Sequence, residues 1–195
     1  VAAKIADIAV SIQLSSALLS ENISRCLCAT AQDELRPVMN GVFFDITPEY
    51  LTIVSTDGHK LVRNRIYDIK NDVAASLILA KKPATILKNM LAKDDTLVTI
   101  TFDNRNAEVT FGDTRLLCRL IDGRYPNYNS VIPQNNQNVL HVDRETLLGA
   151  LKRVLPFASD SSNLVRFRID GHVLQLDAED FDFSKTATER LACEY

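Results

Sequence analysis

Three histidines and their acidic neighbours are the first candidates for chemistry. Asp57 and His59 stand two residues apart, types that could serve as a general acid–base pair or as metal ligands, and His141 and His172 could join them. Cys26 and Cys28 are too close in sequence to pair comfortably with each other, and Cys118 and Cys193 are scattered. The surroundings weaken a catalytic reading. The chain has no HxxxH helix spacing, no CxxC, no Gly-rich phosphate loop and no nucleophile elbow. Asp-Gly-His also occurs twice, at Asp57-Gly58-His59 and at Asp170-Gly171-His172, each time between two strand-like runs. That recurrence favours turn chemistry over catalysis. No enzyme activity, cofactor or metal is expected.

The elements around the first of these turns are explicit. Leu51-Thr52-Ile53-Val54 precedes Ser55-Thr56-Asp57-Gly58-His59-Lys60-Leu61, and Val62-Arg63-Asn64-Arg65-Ile66 follows it. Asp-Gly between such runs predicts a two-residue hairpin link, because both central positions tolerate φ > 0.

Composition narrows the class further. The 195 residues are 46% hydrophobic and 24% charged, a globular profile with room for one large domain or one domain and part of another. No apolar run approaches the roughly 18 residues of a membrane span. The start, Val1-Ala2-Ala3-Lys4, lacks an initiator Met, and Asp7 interrupts the apolar stretch after it. A fragment without a signal peptide is expected, with reduced thiols in a cytoplasmic protein. Twenty-two Lys and Arg against 25 Asp and Glu leave a net charge of −3. That balance argues against coating nucleic acid with a continuous basic face, but it permits contact through a few placed cations.

A pattern then repeats along the chain. Val10–Gln13 reads as a strand, and a helix from about Ser15 to Ala29 carries Leu19, Ile23, Cys26 and Leu27 on one stripe. Ser16, Ser20 and Ser24 at i+4 spacing, with Arg25 beside them, suggest a narrow polar face. Three strands follow: Val42–Ile46, Leu51–Val54 and Val62–Ile66. The second copy has a strand at Ser76–Leu79 and a helix opening near Pro83. Its expected buried stripe is Ile86, Met90 and Leu91, with Lys88 and Asn89 facing elsewhere and Lys93 near the helix end. Strands Leu97–Phe102, Ala107–Phe111 and Thr114–Ile121 complete it. The third copy offers a strand at Leu140–Val142, Asp143 as helix N-cap, and Leu147, Leu151, Val154, Leu155 and Ala158 as the stripe. Lys152 and Arg153 fall at its open face. Strands Leu164–Ile169, Val173–Ala178 and Thr188–Tyr195 follow, the first two joined at Asp170-Gly171. Repetition at this scale means a fold built by stacking one β-α-β-β-β unit, an α+β architecture. The Gly, Pro and Asn-rich stretch Asp122–Asn138 separates the second copy from the third. Two units make a domain, so the third would be half of another.

At this point the residues resemble a family. Met39-Asn40-Gly41-Val42-Phe43-Phe44, Ser55–Leu61, Gly112-Asp113-Thr114 and Leu120-Ile121-Asp122-Gly123-Arg124-Tyr125-Pro126-Asn127-Tyr128 are similar, in order and approximate spacing, to motifs of the bacterial DNA polymerase III beta subunit, the sliding clamps. The resemblance covers nearly the whole chain. It implies a clamp fold with sheets outside and helices lining a DNA channel, 8–132 as the middle domain, 133–138 as linker and 139–195 as the first half of the third domain. It implies a processivity factor that, as a ring of two subunits, encircles double-stranded DNA without sequence preference. The DNA polymerase III alpha subunit, the clamp loader and repair polymerases would dock through short linear peptides. By the same resemblance, Met39, Thr56, Gly58, His59, Lys60, Leu61, Pro126, Ser130 and Val131 belong to the peptide pocket between middle and third domains. Ser20, Ser24, Arg25, Arg36, Lys88, Lys152 and Arg153 would face DNA, and Pro156 and Phe157 would lie at the ring's subunit contact. A fragment of this extent is not expected to close a ring.

Two departures from the family pattern stand out. Pro37-Val38 occupies positions where many members carry aromatic residues, which removes a stacking contact to DNA. Ser130 stands where an Arg is often found, which weakens any ionic contact to a peptide. The alternative reading is a structural or adhesion-type α+β domain with no DNA role, since duplicated units and serine-lined helices would serve assembly equally well.

Overall fold

Alternating apolar residues along the strands and 3.6-periodic stripes on the helices build the architecture. The computed structural model describes residues 5–6, 9–69 and 71–195. The chain start at Val1–Lys4, Asp7 and the expected domain boundary at residue 8 lie outside the described residues. The chain divides into two compact units, Val1–Val131 and Ile132–Tyr195.

The first unit runs β1 (Val10–Ser15), α1 (Ser16–Leu27), β2 (Gly41–Ile46), β3 (Leu51–Thr56), β4 (Leu61–Ile66), then β5 (Ala75–Ala80), α2 (Lys81–Met90), β6 (Leu97–Phe102), β7 (Asn106–Phe111) and β8 (Thr114–Arg119). The strands form two four-stranded antiparallel sheets, ordered β1-β6-β7-β8 and β4-β3-β2-β5. Each half contributes its first strand to the other half's sheet. β1 pairs with β6 from Val10↔Phe102 to Ser15↔Leu97, and β5 pairs with β2 from Gly41↔Ala80 to Ile46↔Ala75. Gly41 is required there, because a Cβ would lie 2.4 Å from the Leu79 carbonyl oxygen.

Ser15 caps α1 by accepting from the Leu18 N–H at 3.3 Å. The two helices pack on each other and on the sheets. Leu19, Ile23, Cys26, Ala84 and Leu87 bury against Val42, Phe44, Ile53, Val98, Ile100 and Val109 in one core. Burial pushes the Cys26 thiol up to about 11, and its sulfur donates to the Ile53 carbonyl. Two expectations for α2 change. Its buried side carries Ala84 and Leu87, with Leu91 just past the helix, whereas Met90 is half exposed and Lys93 lies beyond the last turn. Pro83 keeps its place in the first turn.

The second unit contains α3 (Arg144–Val154), β9 (Val165–Asp170), β10 (Val173–Asp180) and β11 (Lys185–Ala192), with sheet order β11-β10-β9. Asp143 caps α3 by accepting from the Thr146 N–H at 2.7 Å. Ala150, Val154, Leu174, Leu176 and Leu191 form its core. The strand expected at Leu140–Val142 is only a bridge, His141↔Glu194, so one residue pair replaces a ladder. The expected last strand begins earlier and stops at Ala192. β9 and β10 are joined by Gly171-His172, with Asp170 and Val173 paired across the turn, one residue on from the expected Asp-Gly link. Only Gly171 of these has positive φ, +54°.

No described helix is long and apolar enough to cross a membrane.

Candidate peptide and nucleic-acid surfaces

The 57–60 hairpin loop is a four-residue loop, not a two-residue link. Thr56 and Leu61 close the ladder, and Asp57, Gly58, His59 and Lys60 span it. Asp57 holds the turn from inside: its Oδ1 accepts from the N–H groups of Lys60 at 2.8 Å and His59 at 2.9 Å. These backbone donors, Lys60 before His59, push its carboxyl down to about 2, aided by the Lys60 ammonium 3.3 Å from Oδ2. A carboxylate stabilised in this way is a weak base. Thr56 closes the loop from the other side. Its hydroxyl donates to the Lys60 carbonyl at 2.7 Å and accepts from the Gly58 N–H at 3.1 Å. Lys60 Nζ also donates to the Cys28 carbonyl at 3.1 Å, fastening the loop to the end of α1. Gly58 alone takes φ = +90°. His59, Gly58 and Lys60 stay exposed, and Leu61 is half-buried.

A second segment lies on the outer face of the β4-β3-β2-β5 sheet. Tyr125 stacks on Phe43 of β2, centroids 4.5 Å apart and planes 2° from parallel. Tyr128 meets the same ring edge-on at 6.3 Å and donates from its hydroxyl to Asp45 Oδ2 at 2.7 Å. Stacks of this kind contribute about 1 kcal/mol beyond area burial. Burial, eased by the neighbouring Thr56 backbone, pushes the Tyr125 phenol up to about 12. Arg63 of β4 donates to Asn129 Oδ1 at 3.3 Å. These contacts carry Pro126, half-buried, and Val131, 67% exposed, onto the sheet that bears the hairpin. Ser130 is exposed and turns its hydroxyl back to the Asn127 carbonyl at 2.7 Å.

The loop before β2 supplies a third piece. Asn40 clamps Asp33 with two hydrogen bonds, and Asp33 Oδ2 accepts from Arg36 Nε at 2.8 Å. That hold places the Arg36 guanidinium over the hairpin, where a Cβ on Gly58 would be 2.7 Å from Nη1. Met39, half-buried, closes the same loop. Arg36, expected among the DNA-facing cations, therefore sits against the hairpin, because the Asn40 clamp folds its loop back.

The other DNA-facing candidates separate by burial. Ser16, Ser20 and Ser24 span only about 80° of α1, so packing rather than angular drift decides which of them is open. Ser16 is buried and donates to the Ala92 carbonyl at 2.7 Å, and Ser20 is 4% exposed; both are corrected to interior positions. Ser24 is half-buried. Arg25 is open but ion-paired with Glu21, one turn before it. Lys88 is exposed on α2, and Lys152 is exposed on α3. Arg153 grips the Glu189 carboxylate of β11 with two nitrogens, so its charge is directed to its own sheet. Pro156 and Phe157 lie in a single 3-10 turn after α3, with Phe157 38% exposed.

Sequence reasoning passed over Phe43, Asp45, Tyr125 and Tyr128 as positioning residues. The available signal was two tyrosines inside a Pro, Gly and Asn-rich connector, where unsupported aromatics are out of place. Among the described residues no group of three His, Cys, Asp or Glu side chains could hold a metal.

The comparisons with known proteins agree with one another. A beta sliding clamp of Synechococcus elongatus is 31% identical over 182 residues, covering 87% of this chain and 47% of that relative. The DNA polymerase III beta subunit of Thermotoga maritima superposes with a TM-score of 0.87 at 27% identity, covering 99% of this chain and 52% of that one. The beta subunit of Pseudomonas aeruginosa reaches a TM-score of 0.90 at 24% identity, a likeness of fold, over all of this chain and 53% of its own. The chain thus spans about half the length of the curated relatives it matches. The family described as DNA polymerase III beta subunit, central domain, matches residues 13–127, more than half of the chain, and the chain belongs to that family.

Proposed function

We propose that this chain is part of a bacterial, cytoplasmic sliding clamp: the middle domain over 8–132, a linker over 133–138 and the first half of the third domain over 139–195. In the complete protein it would act as a DNA polymerase processivity factor without catalytic residues of its own. It would tether the polymerase III alpha subunit, clamp loader and repair polymerases by their short peptides. A two-subunit ring would surround duplex DNA, with Pro156 and Phe157 at the subunit contact.

One observation carries the reading. Three separate segments, Arg36–Met39, Thr56–Leu61 and Pro126–Val131, are fastened to a single sheet, the last through Phe43, Asp45 and Arg63. Half-buried Met39, Leu61 and Pro126 with exposed Val131 offer apolar area to an anchoring Leu or Phe, and exposed loop polar groups can hold peptide backbone. Ser130, bonded to its own turn, supplies no cation there.

The test is a titration of a labelled peptide with Leu and Phe anchors against the chain and against Leu61→Asp. Saturable binding that is lost in the variant supports the pocket. If neither binds, the titration is repeated on a chain extended through the following repeat. Silence there as well removes the pocket reading.

A further inference from the structure

The open faces of α1 and α2 differ in charge in a way that bears on how the first unit meets a phosphodiester backbone. On α2, Lys81, Lys82, Thr85, Lys88 and Asn89 fall within an arc of about 120°, opposite the buried Leu87, with the buried Ala84 at its margin. Lys82, Thr85, Lys88 and Asn89 are exposed and Lys81 is partly so. None of these lysines has an ion-pair partner among the described residues, and α2 contains no acidic residue. α1 packs alongside with a single cation in its whole length, Arg25. Glu21 lies one helical turn before it, Glu preceding Arg at i,i+4, the favourable order on a helix. Both side chains are more than half exposed, so the pair is weak as a bond. Its electrostatic effect does not depend on that strength. A carboxylate fixed on the same open arc stays well within a Debye length of Arg25, and the face of α1 presents no net charge.

We propose that Glu21 silences Arg25, so that Lys81, Lys82 and Lys88 of α2 carry the phosphate contacts of this unit while α1 supplies a neutral surface. The inference rests on the DNA reading above and goes beyond it in assigning the contact to one helix of the two and a restraining role to one acid. Lys82 and Lys88 are separated by about 9 Å along the axis, a span that meets several phosphates of a duplex. Contacts this few and free of base readout hold DNA weakly enough for it to move.

The experiment is fluorescence anisotropy of a labelled duplex of arbitrary sequence against the full chain at a series of salt concentrations. A melting curve for each variant checks folding, which these exposed sites should leave unchanged. Each phosphate contact contributes about −0.9 to the slope of log K against log salt. Lys82→Ala and Lys88→Ala are each expected to weaken binding and flatten the slope by about one. Glu21→Gln is expected to tighten binding severalfold and steepen the slope by about one. The double variant Glu21→Gln, Arg25→Gln should match the unaltered chain. Glu21→Gln without effect, or lysine variants with unaltered slopes, would overturn the inference while leaving DNA binding in place. No binding by any variant at the lowest salt would overturn both.

Discussion

The Tyr128 hydroxyl donates a 2.7 Å hydrogen bond to Asp45, joining residues 83 apart in sequence. Tyr128 lies in the connector after the last strand of the first unit, and Asp45 lies on the second strand of that unit. Burial and the neighbouring carboxyl both push the phenol's pKa up, so the hydroxyl keeps its proton and donates it to the bond. Through it the chain's exit from β8 is held flat on the sheet that carries the hairpin.

Replacing Tyr128 with Phe keeps the edge contact to Phe43 and removes the hydroxyl that makes this bond. Hydrogen bonds to charged groups contribute about 1.5–3 kcal/mol, and Asp45 retains partial access to water, so a loss near the lower figure is expected. Urea denaturation measures it. If the proposed peptide pocket is used, affinity should fall as well, since Pro126 and Val131 lose one of the contacts that hold their segment. The expected stability loss with unchanged affinity would separate the connector from the pocket.

Acid should loosen the hairpin over a defined window. The Asp57 carboxyl is lowered from 3.8 to about 2 in the folded chain. A depressed pKa means the carboxylate's contribution is fully present above about 4 and disappears as pH falls through 2. The stability difference between the chain and Asp57→Ala is therefore expected to be constant at neutral pH and to shrink between pH 4 and 2. Chemical shifts of the Lys60 and His59 amides report the same titration locally. A difference independent of pH would show that Asp57 does not hold the loop.

Gly58→Ala meets two obstacles at once. The backbone there has φ = +90°, which costs a residue with a Cβ about 1–2 kcal/mol, and the added carbon would lie 2.7 Å from Arg36 Nη1. The second obstacle is the far end of a flexible side chain. In an Arg36→Ala background only the backbone cost should remain, so a double-mutant cycle on thermal stability is expected to be non-additive. Additive losses would place Arg36 away from the loop in solution.

Much of this arrangement was legible in local pattern. The helix following Ser15, the cap at Asp143, the period-2 strands and the three-fold recurrence all follow from spacing that neighbours in sequence impose. Where the structure differs, the causes are several. Ser20 belongs to a hydroxyl series at i+4 that reads as a polar face, yet it is 4% exposed; its burial is tertiary, which no local window contains. Met90 is half exposed where a buried position is expected, because α2 is short and its stripe is defined by few residues. The resemblance places Arg36 toward DNA; the structure adds a bond from its Nε to Asp33, in the loop that Asn40 holds. The Tyr125 stack on Phe43 joins residues far apart in sequence, beyond any periodicity. The Asp-Gly pair was correctly read as a turn, but the Asx geometry of Asp57 lengthened it from two residues to four.

The exchange of first strands between the halves of the leading unit has a kinetic consequence. β1 cannot find β6 until about 90 residues of chain have been made and brought back, and β5 must cross to β2 in the opposite sense. Neither half can finish its sheet alone, so folding waits on two long-range closures and is expected to be slow for its helix content. The same interlock means that a backbone cut in the stretch between β4 and β5 would leave two pieces, each holding the other's missing strand. Such pieces would reassemble from solution, since every strand would still have its partner waiting on the opposite fragment.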